Sequence, residues 1–187
     1  AGVKGEVKLI LDNVHISNTT GPAISCTSGD DLVIELVGHN NTLRDGASYD
    51  EALDEDINGT IYSKADLTFT GEGSLDITAN YQDAIVGKDD VKFSDGTYTI
   101  SAADDGIRGK DSVYMAGGSF DIASGQDAIK STNDTDAGKG FVLILRAMQQ
   151  VFDGRGMVEG KVEVAPAQKR QTAAAMSDEE ITFTYCT

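Results

Sequence analysis

The chain has 187 residues, long enough for one domain with a real hydrophobic core. Its 31 acidic residues outnumber 15 basic ones, and a net charge of −16 makes nucleic acid an unfavourable partner. With 21 Gly, 2 Pro and no Trp the composition suits many tight turns rather than long helices, and no transmembrane run or leader peptide is visible.

In chain order, Val7, Leu9 and Leu11 alternate with polar residues, Val14 and Ile16 follow, and Gly21-Pro22-Ala23-Ile24 closes a first coil. Alternation with period two turns one face of a strand inward. A second coil starts at Asp31-Leu32-Val33-Ile34 and resumes at Gly59-Thr60-Ile61-Tyr62-Ser63-Lys64. Residues 38–58 between them read as an insertion containing Asp45, Asp50, Glu51, Asp54, Glu55 and Asp56. Insertions in stacked-coil proteins project from one face, often the binding face; a mobile acidic loop is the equal alternative.

From Leu67 to Gly140 one pattern is written three times. The copies read Gly73-Ser-Leu-Asp-Ile77 with Gln82-Asp83-Ala84-Ile85, Gly96-Thr-Tyr-Thr-Ile100 with Asp104-Asp105-Gly106-Ile107, and Gly118-Ser-Phe-Asp-Ile122 with Gln126-Asp127-Ala128-Ile129. Asp83, Asp105 and Asp127 are each 22 residues apart. Three short strands per ~22-residue repeat, parted by Gly and Asp-Gly turns, predict an all-β parallel β-helix whose coils stack roughly 4.8 Å apart. The apolar ladders Leu75/Tyr98/Phe120 and Ile85/Ile107/Ile129 are predicted to fill its core. The whole chain, 1–187, reads as a single domain, clearest over 60–140.

Phe141 to Leu145 reads as the next buried strand, after which the pattern loosens. Val158, Val162 and Val164 suit one further strand, residues 165–178 a loop or weak helix, and Ile181 to Tyr185 an edge strand. Residues 146–187 are thus predicted to form an irregular last coil and cap. Cys26 and Cys186 are too few for a disulfide framework and are expected to be free.

Stacking converts repeats into lines of chemistry. Asp83, Asp105 and Asp127, with Asp104 beside them, form one acidic ladder; Asp89, Asp111 and Asn133 form a second, near Asp134 and Asp136. Carboxylates roughly 5 Å apart repel unless a cation lies between them, and calcium suits an irregular all-oxygen site. Turn preference explains a single Asp, but less readily several in register. Zinc is disfavoured, since His15 and His39 are isolated and no Cys cluster exists. Lys64, Lys88 and Lys110, with Arg108, form a basic ladder that we read as compensating the aspartates. Its alternative use is substrate binding, with Tyr81 and Tyr114, or proton abstraction beside calcium during β-elimination of a uronate. Tyr114 is on the outward phase of its strand, while Tyr49, Tyr62 and Tyr81 are expected in loops or turns.

At Asp104-Asp-Gly-Ile-Arg-Gly-Lys-Asp111, Gly117-Gly-Ser-Phe-Asp-Ile122, Gln126-Asp-Ala-Ile-Lys130 and Asp136-Ala-Gly-Lys-Gly140 the chain resembles a family of secreted bacterial carbohydrate-binding proteins. That family has a right-handed, single-stranded parallel β-helix similar to that of pectate lyases. The resemblance implies calcium on the coil turns, carried here by Asp83, Asp104, Asp105, Asp127 and Asp136. It also implies binding of cellulose-like or acidic plant polysaccharide, outside the cell or at its surface. The expectation is therefore a calcium-binding, non-catalytic polysaccharide binder. The rivals are a calcium-dependent polysaccharide lyase using Arg108, Lys110 or Lys88, and a calcium-stabilised structural or adhesive surface protein.

Overall fold

The computed structural model describes residues 5–145, and beyond them the strand backbones 149–154, 158–159 and 161–165. Each coil lays down one strand in each of three parallel sheets. The first sheet stacks Glu6–Leu11, Asp31–Leu36, Asp66–Thr70, Asp90–Phe93, Ser112–Met115, Phe141–Leu145 and Lys161–Ala165. The second stacks His15–Ser17, Asn41–Arg44, Ser74–Ala79, Thr97–Ala102, Ser119–Ser124 and Gln149–Gly154. The third stacks Ile24–Cys26, Gly59–Ser63, Asp83–Gly87, Ile107–Gly109, Ile129–Ser131 and Val158–Glu159. All strand pairing is parallel, with no helix among the described residues, so the chain folds as the all-β parallel β-helix that its repeats predict.

The predicted ladders exist in register. Tyr98 pairs with Leu75 on one side and Phe120 on the other, and Ile107 lies between Ile85 and Ile129. Inside the tube the rings of Phe69 and Phe93 stack at 4.7 Å, those of Tyr98 and Phe120 at 4.6 Å, and Phe93 meets Tyr98 edge-on at 5.2 Å. The Tyr98 hydroxyl donates to the Asp95 carbonyl at 2.8 Å, so this buried phenol is satisfied. The turn before it needs Gly96: its φ is +106°, and a Cβ there would lie 2.9 Å from the Tyr98 hydroxyl.

The structure revises three expectations. Residues 41–44, assigned to the insertion, are the second-sheet strand of the second coil, which leaves 45–58 as the true excursion. The alternation was masked because Asn41 takes an inward position opposite Leu75. Its amide donates to the carbonyls of Gly38 at 2.8 Å and Ser74 at 3.0 Å, and its oxygen accepts the Val14 N–H at 3.0 Å. Tyr62, expected in a loop or turn, lies on a third-sheet strand and is buried. After Leu145 the three sheets continue rather than loosen, with Gln149–Gly154 paired residue for residue against Ser119–Ser124. Val158 falls on one strand, and Val162 and Val164 on the next. The predicted loop at 165–178, edge strand 181–185 and Cys186 lie outside the described residues. Cys26 is a half-buried thiol directed at the Ser28 carbonyl, 3.3 Å away.

Candidate functional site

Chemistry collects along the outer edge of the third sheet. Every other side chain of those strands points outward, which puts Tyr62, Val86, Arg108 and Lys130 in one column on successive coils. The aspartate ladder runs beside it. One Asp83 carboxylate oxygen accepts the Asp105 N–H at 3.1 Å, and an Asp105 oxygen accepts the Asp127 N–H at 3.1 Å.

Each outward cation stands three residues after a ladder aspartate and reaches back one coil. Arg108 donates through Nε to Asp83 at 2.8 Å, adds an Nη2 contact to the same oxygen, and gives another hydrogen bond to Asn58 at 2.8 Å. Lys130 contacts Asp127 at 3.0 Å and Asp105 at 3.4 Å. Burial pushes the Asp83 carboxyl up to about 6, outweighing the opposing attraction of Arg108. Burial works against the Lys130 ammonium, but Asp127 and Asp105 more than offset it and hold the group above the usual lysine range.

Oxygen atoms of Asp83, Asp104 and Asp105 all lie within 4.8 Å of one another. Among the described residues no other three His, Cys, Asp or Glu side chains gather so closely. An all-carboxylate donor set fits a hard cation such as calcium and not zinc. Counting Asp127, four carboxylates face the two cations Arg108 and Lys130, which leaves two negative charges, the charge of one divalent ion.

The second ladder is a separate group. Asn133 donates through its amide to Asp111 at 2.8 Å and to Asp136 at 2.9 Å, and Lys139 contacts the other Asp111 oxygen. Burial tends to raise the Asp111 carboxyl, but hydrogen bonds from Lys139 and Asn133 prevail and lower it. The Lys139 ammonium supplies one positive charge at this ladder. Asp89 is exposed, and partial desolvation followed by repulsion from Asp111 and Asp66 raises its carboxyl. Asp134 is exposed at the same turn.

Lys88, Arg108 and Lys110 line one shallow cavity of about 140 Å³ with Val86, Gly87 and Thr132. The basic ladder compensates the aspartate ladder only through Arg108, which pairs with Asp83; its lysines do not. Lys64 pairs with Asp54 at 3.0 Å and Lys88 with Asp56 at 3.6 Å, both acids of the excursion, while Lys110 makes no ion pair among the described residues. The excursion is docked. Ile57 and Tyr49 pack on Tyr62 and Val86, Tyr49 stacks on Tyr81 with centroids 4.3 Å apart, and Asp45 accepts the Asn80 N–H at 2.6 Å. Tyr81 is thereby committed to Tyr49, and Tyr114 stands on the first sheet between Lys92 and Leu143, away from the cavity. Lys130, Asn58 and Lys139 are the partners that sequence reasoning overlooked. For Lys130 the signal is present: Asp-Gly-Ile-Arg and Asp-Ala-Ile-Lys place a cation at one offset from the ladder aspartate.

A family model for carbohydrate-binding domain-containing proteins matches residues 1–180. A carbohydrate-binding domain-containing protein of Acetivibrio thermocellus is 37% identical over 104 residues, which is 54% of this chain. That match spans 36% of the relative, so the two share about a third of the longer protein. In three dimensions the polysaccharide lyase-like protein from C. thermocellum, solved as a gadolinium derivative, superposes with a TM-score of 0.77 at 29% identity, over 86% of this chain and 75% of its own.

Proposed function

The chain belongs to the family of carbohydrate-binding domain-containing proteins, and on that premise we propose that it is a calcium-binding extracellular protein that holds acidic polysaccharide without cleaving it. The observation that carries the reading is the cavity where Lys88, Arg108 and Lys110 converge on a chain of net charge −16. Cations gathered on an acidic protein favour an anionic ligand, and uronate carboxylates at intervals along a glycan would meet successive coils. A neutral glucan chain would need flat aromatic platforms, and Tyr81 and Tyr114 do not form one together.

Calcium belongs at Asp83, Asp104 and Asp105 in this reading. Its two charges match the charge left over by Arg108 and Lys130, and it would tie the turns of adjacent coils together. The gadolinium taken up by the C. thermocellum neighbour is also a hard cation that seeks oxygen, which supports the assignment. An extracellular placement would expose such a site to calcium at roughly 10⁻⁴–10⁻³ M, the range in which extracellular calcium modules fill. Against catalysis, Arg108 is committed to Asp83 and Asn58 rather than poised to take a proton.

The test is calorimetric titration with oligogalacturonate and with a cello-oligosaccharide, in calcium and in chelator, followed by absorbance for unsaturated product. Oligogalacturonate is expected to bind in calcium, more weakly at high salt, with no absorbance change. Growth of that absorbance would make the protein a lyase. Binding of neither sugar would leave a structural or adhesive role.

A further inference from the structure

We infer that the excursion 45–58 is an internal anionic competitor: Asp54 and Asp56 occupy the Lys64 and Lys88 end of the cationic ladder, so glycan carboxylates are admitted at Lys110. This rests on the acidic-polysaccharide reading above and sets which part of that surface the ligand uses.

The excursion has two kinds of contact. Its ends are fixed by burial and hydrogen bonds: Asp45 with Asn80, Tyr49 on Tyr81, Ile57 against Tyr62 and Val86, and Asn58 to Arg108. Its middle is held otherwise. Residues 51–56 are all exposed, and two internal turns present the acids, with the Ala52 N–H on Asp50 at 2.9 Å and the Asp56 N–H on Asp54 at 3.1 Å. From those turns the free oxygens reach Lys64 and Lys88 across open surface. A carboxylate on a solvated arm, set against a lysine that lines a cavity, is chemically equivalent to a uronate carboxylate in the same place. The hydrogen bond from Lys64 holds the Asp54 carboxyl below its ordinary range, so the arm stays charged across the pH range where uronates are charged.

Surface ion pairs of this kind are weak, which suits a competitor that a polymeric anion can displace. The packing beneath adds to the case. The Tyr62 hydroxyl is buried in the cluster with Ile57 and Tyr49 and has no hydrogen-bond partner, and the Lys88 ammonium lies 5.9 Å from the Tyr62 ring centroid. A covering that leaves a buried hydroxyl unsatisfied is not optimised for stability. Beyond the arm, Lys110 is exposed and makes no ion pair among the described residues, and it lines the cavity together with Thr132.

The experiment compares oligogalacturonate affinity at low and high salt for the wild type, for D54N/D56N, and for D76N/D121N, which removes the same charge from the exposed face of the second sheet. Asparagine keeps the Asx turn at Asp54; if the double variant unfolds, D56N replaces it, since that carboxylate makes no turn hydrogen bond among the described residues. The expected result is binding about three- to tenfold tighter in D54N/D56N at low salt, the scale of two surface ion pairs, and a smaller gain in D76N/D121N. The gain should fade at high salt. Equal gains in both double variants would reduce the effect to net charge and overturn the inference, as would unchanged or weaker binding in D54N/D56N; in either case wild-type binding still supports the acidic-polysaccharide reading. If no variant binds the oligouronate, that reading fails and the inference falls with it.

Discussion

The outward column of the third sheet changes character halfway along. On the second and third coils it presents Tyr62 and Val86, both buried under Ile57 and Tyr49; on the fourth and fifth it presents Arg108 and Lys130, both partly open to water. Backbone register is the same throughout, and the step between coils is the ordinary strand spacing. What differs is the covering. Where the excursion lies over the sheet, the column completes a second apolar cluster. Where, among the described residues, no apolar side chain of the excursion lies over it, the same positions carry cations that balance the aspartate ladder. A solenoid repeat therefore dictates where side chains stand and in which direction they point, while loops added to it decide what those positions are for.

Substitutions can break this division. The largest effect is expected from Tyr62→Ala, which empties a fully buried site and should destabilise the fold by about 3–5 kcal/mol in urea unfolding. Val86→Arg transplants the open half's residue into the covered half. It places a charge beneath Ile57 and should lower stability by about 2–4 kcal/mol while releasing the excursion to proteolysis.

Arg108→Ala acts in the open half, leaving Asp83 buried without its counter-charge, and should cost about 2–3 kcal/mol at neutral pH. That loss depends on pH. The Asp83 carboxyl ionises at about 6 in the fold against 3.8 in the unfolded chain, so what it contributes to stability is greatest below pH 4 and declines as pH rises toward 6. Without Arg108 the folded value moves higher still. In chelator, with no cation beside Asp83, the variant's deficit is therefore expected to be small near pH 4 and to grow toward pH 8, as urea unfolding across that range would show. The smallest effect sharpens the comparison: Tyr62→Phe removes a buried hydroxyl that has no partner, so stability should be unchanged or rise by up to about 1 kcal/mol.

Much of this was legible in the sequence, and what was not has identifiable causes. Strict spacing of Asp83, Asp105 and Asp127 carries the parallel register, because equal coil lengths force equivalent residues to stack. Apolar alternation carries the core ladders for the same reason. The strand at Asn41–Arg44 was hidden because an asparagine bridging neighbouring backbones replaces an apolar residue at an inward position. Ion-pair partners were illegible for another reason: Arg108 reaches back to Asp83 on the preceding coil, and Lys88 reaches an excursion whose docking depends on Tyr49, Ile57 and Tyr81. Proximity in sequence pointed each lysine at the nearest aspartate ladder, whereas tertiary contact assigned Lys64 and Lys88 to Asp54 and Asp56.

The central claim is that Lys110, which follows the third-sheet strand Ile107–Gly109 and stands exposed in the cavity, receives the carboxylates of an acidic glycan. Lys110 tests it most directly, because it lines the cavity, is exposed, and makes no ion pair among the described residues, so Lys110→Gln should leave stability within about 0.5 kcal/mol of the wild type. Titration of Lys110→Gln with oligogalacturonate should show affinity falling by about fivefold or more at low salt, with a shallower salt dependence than the wild type. Wild-type affinity in that variant, with its salt dependence unchanged, would contradict the account.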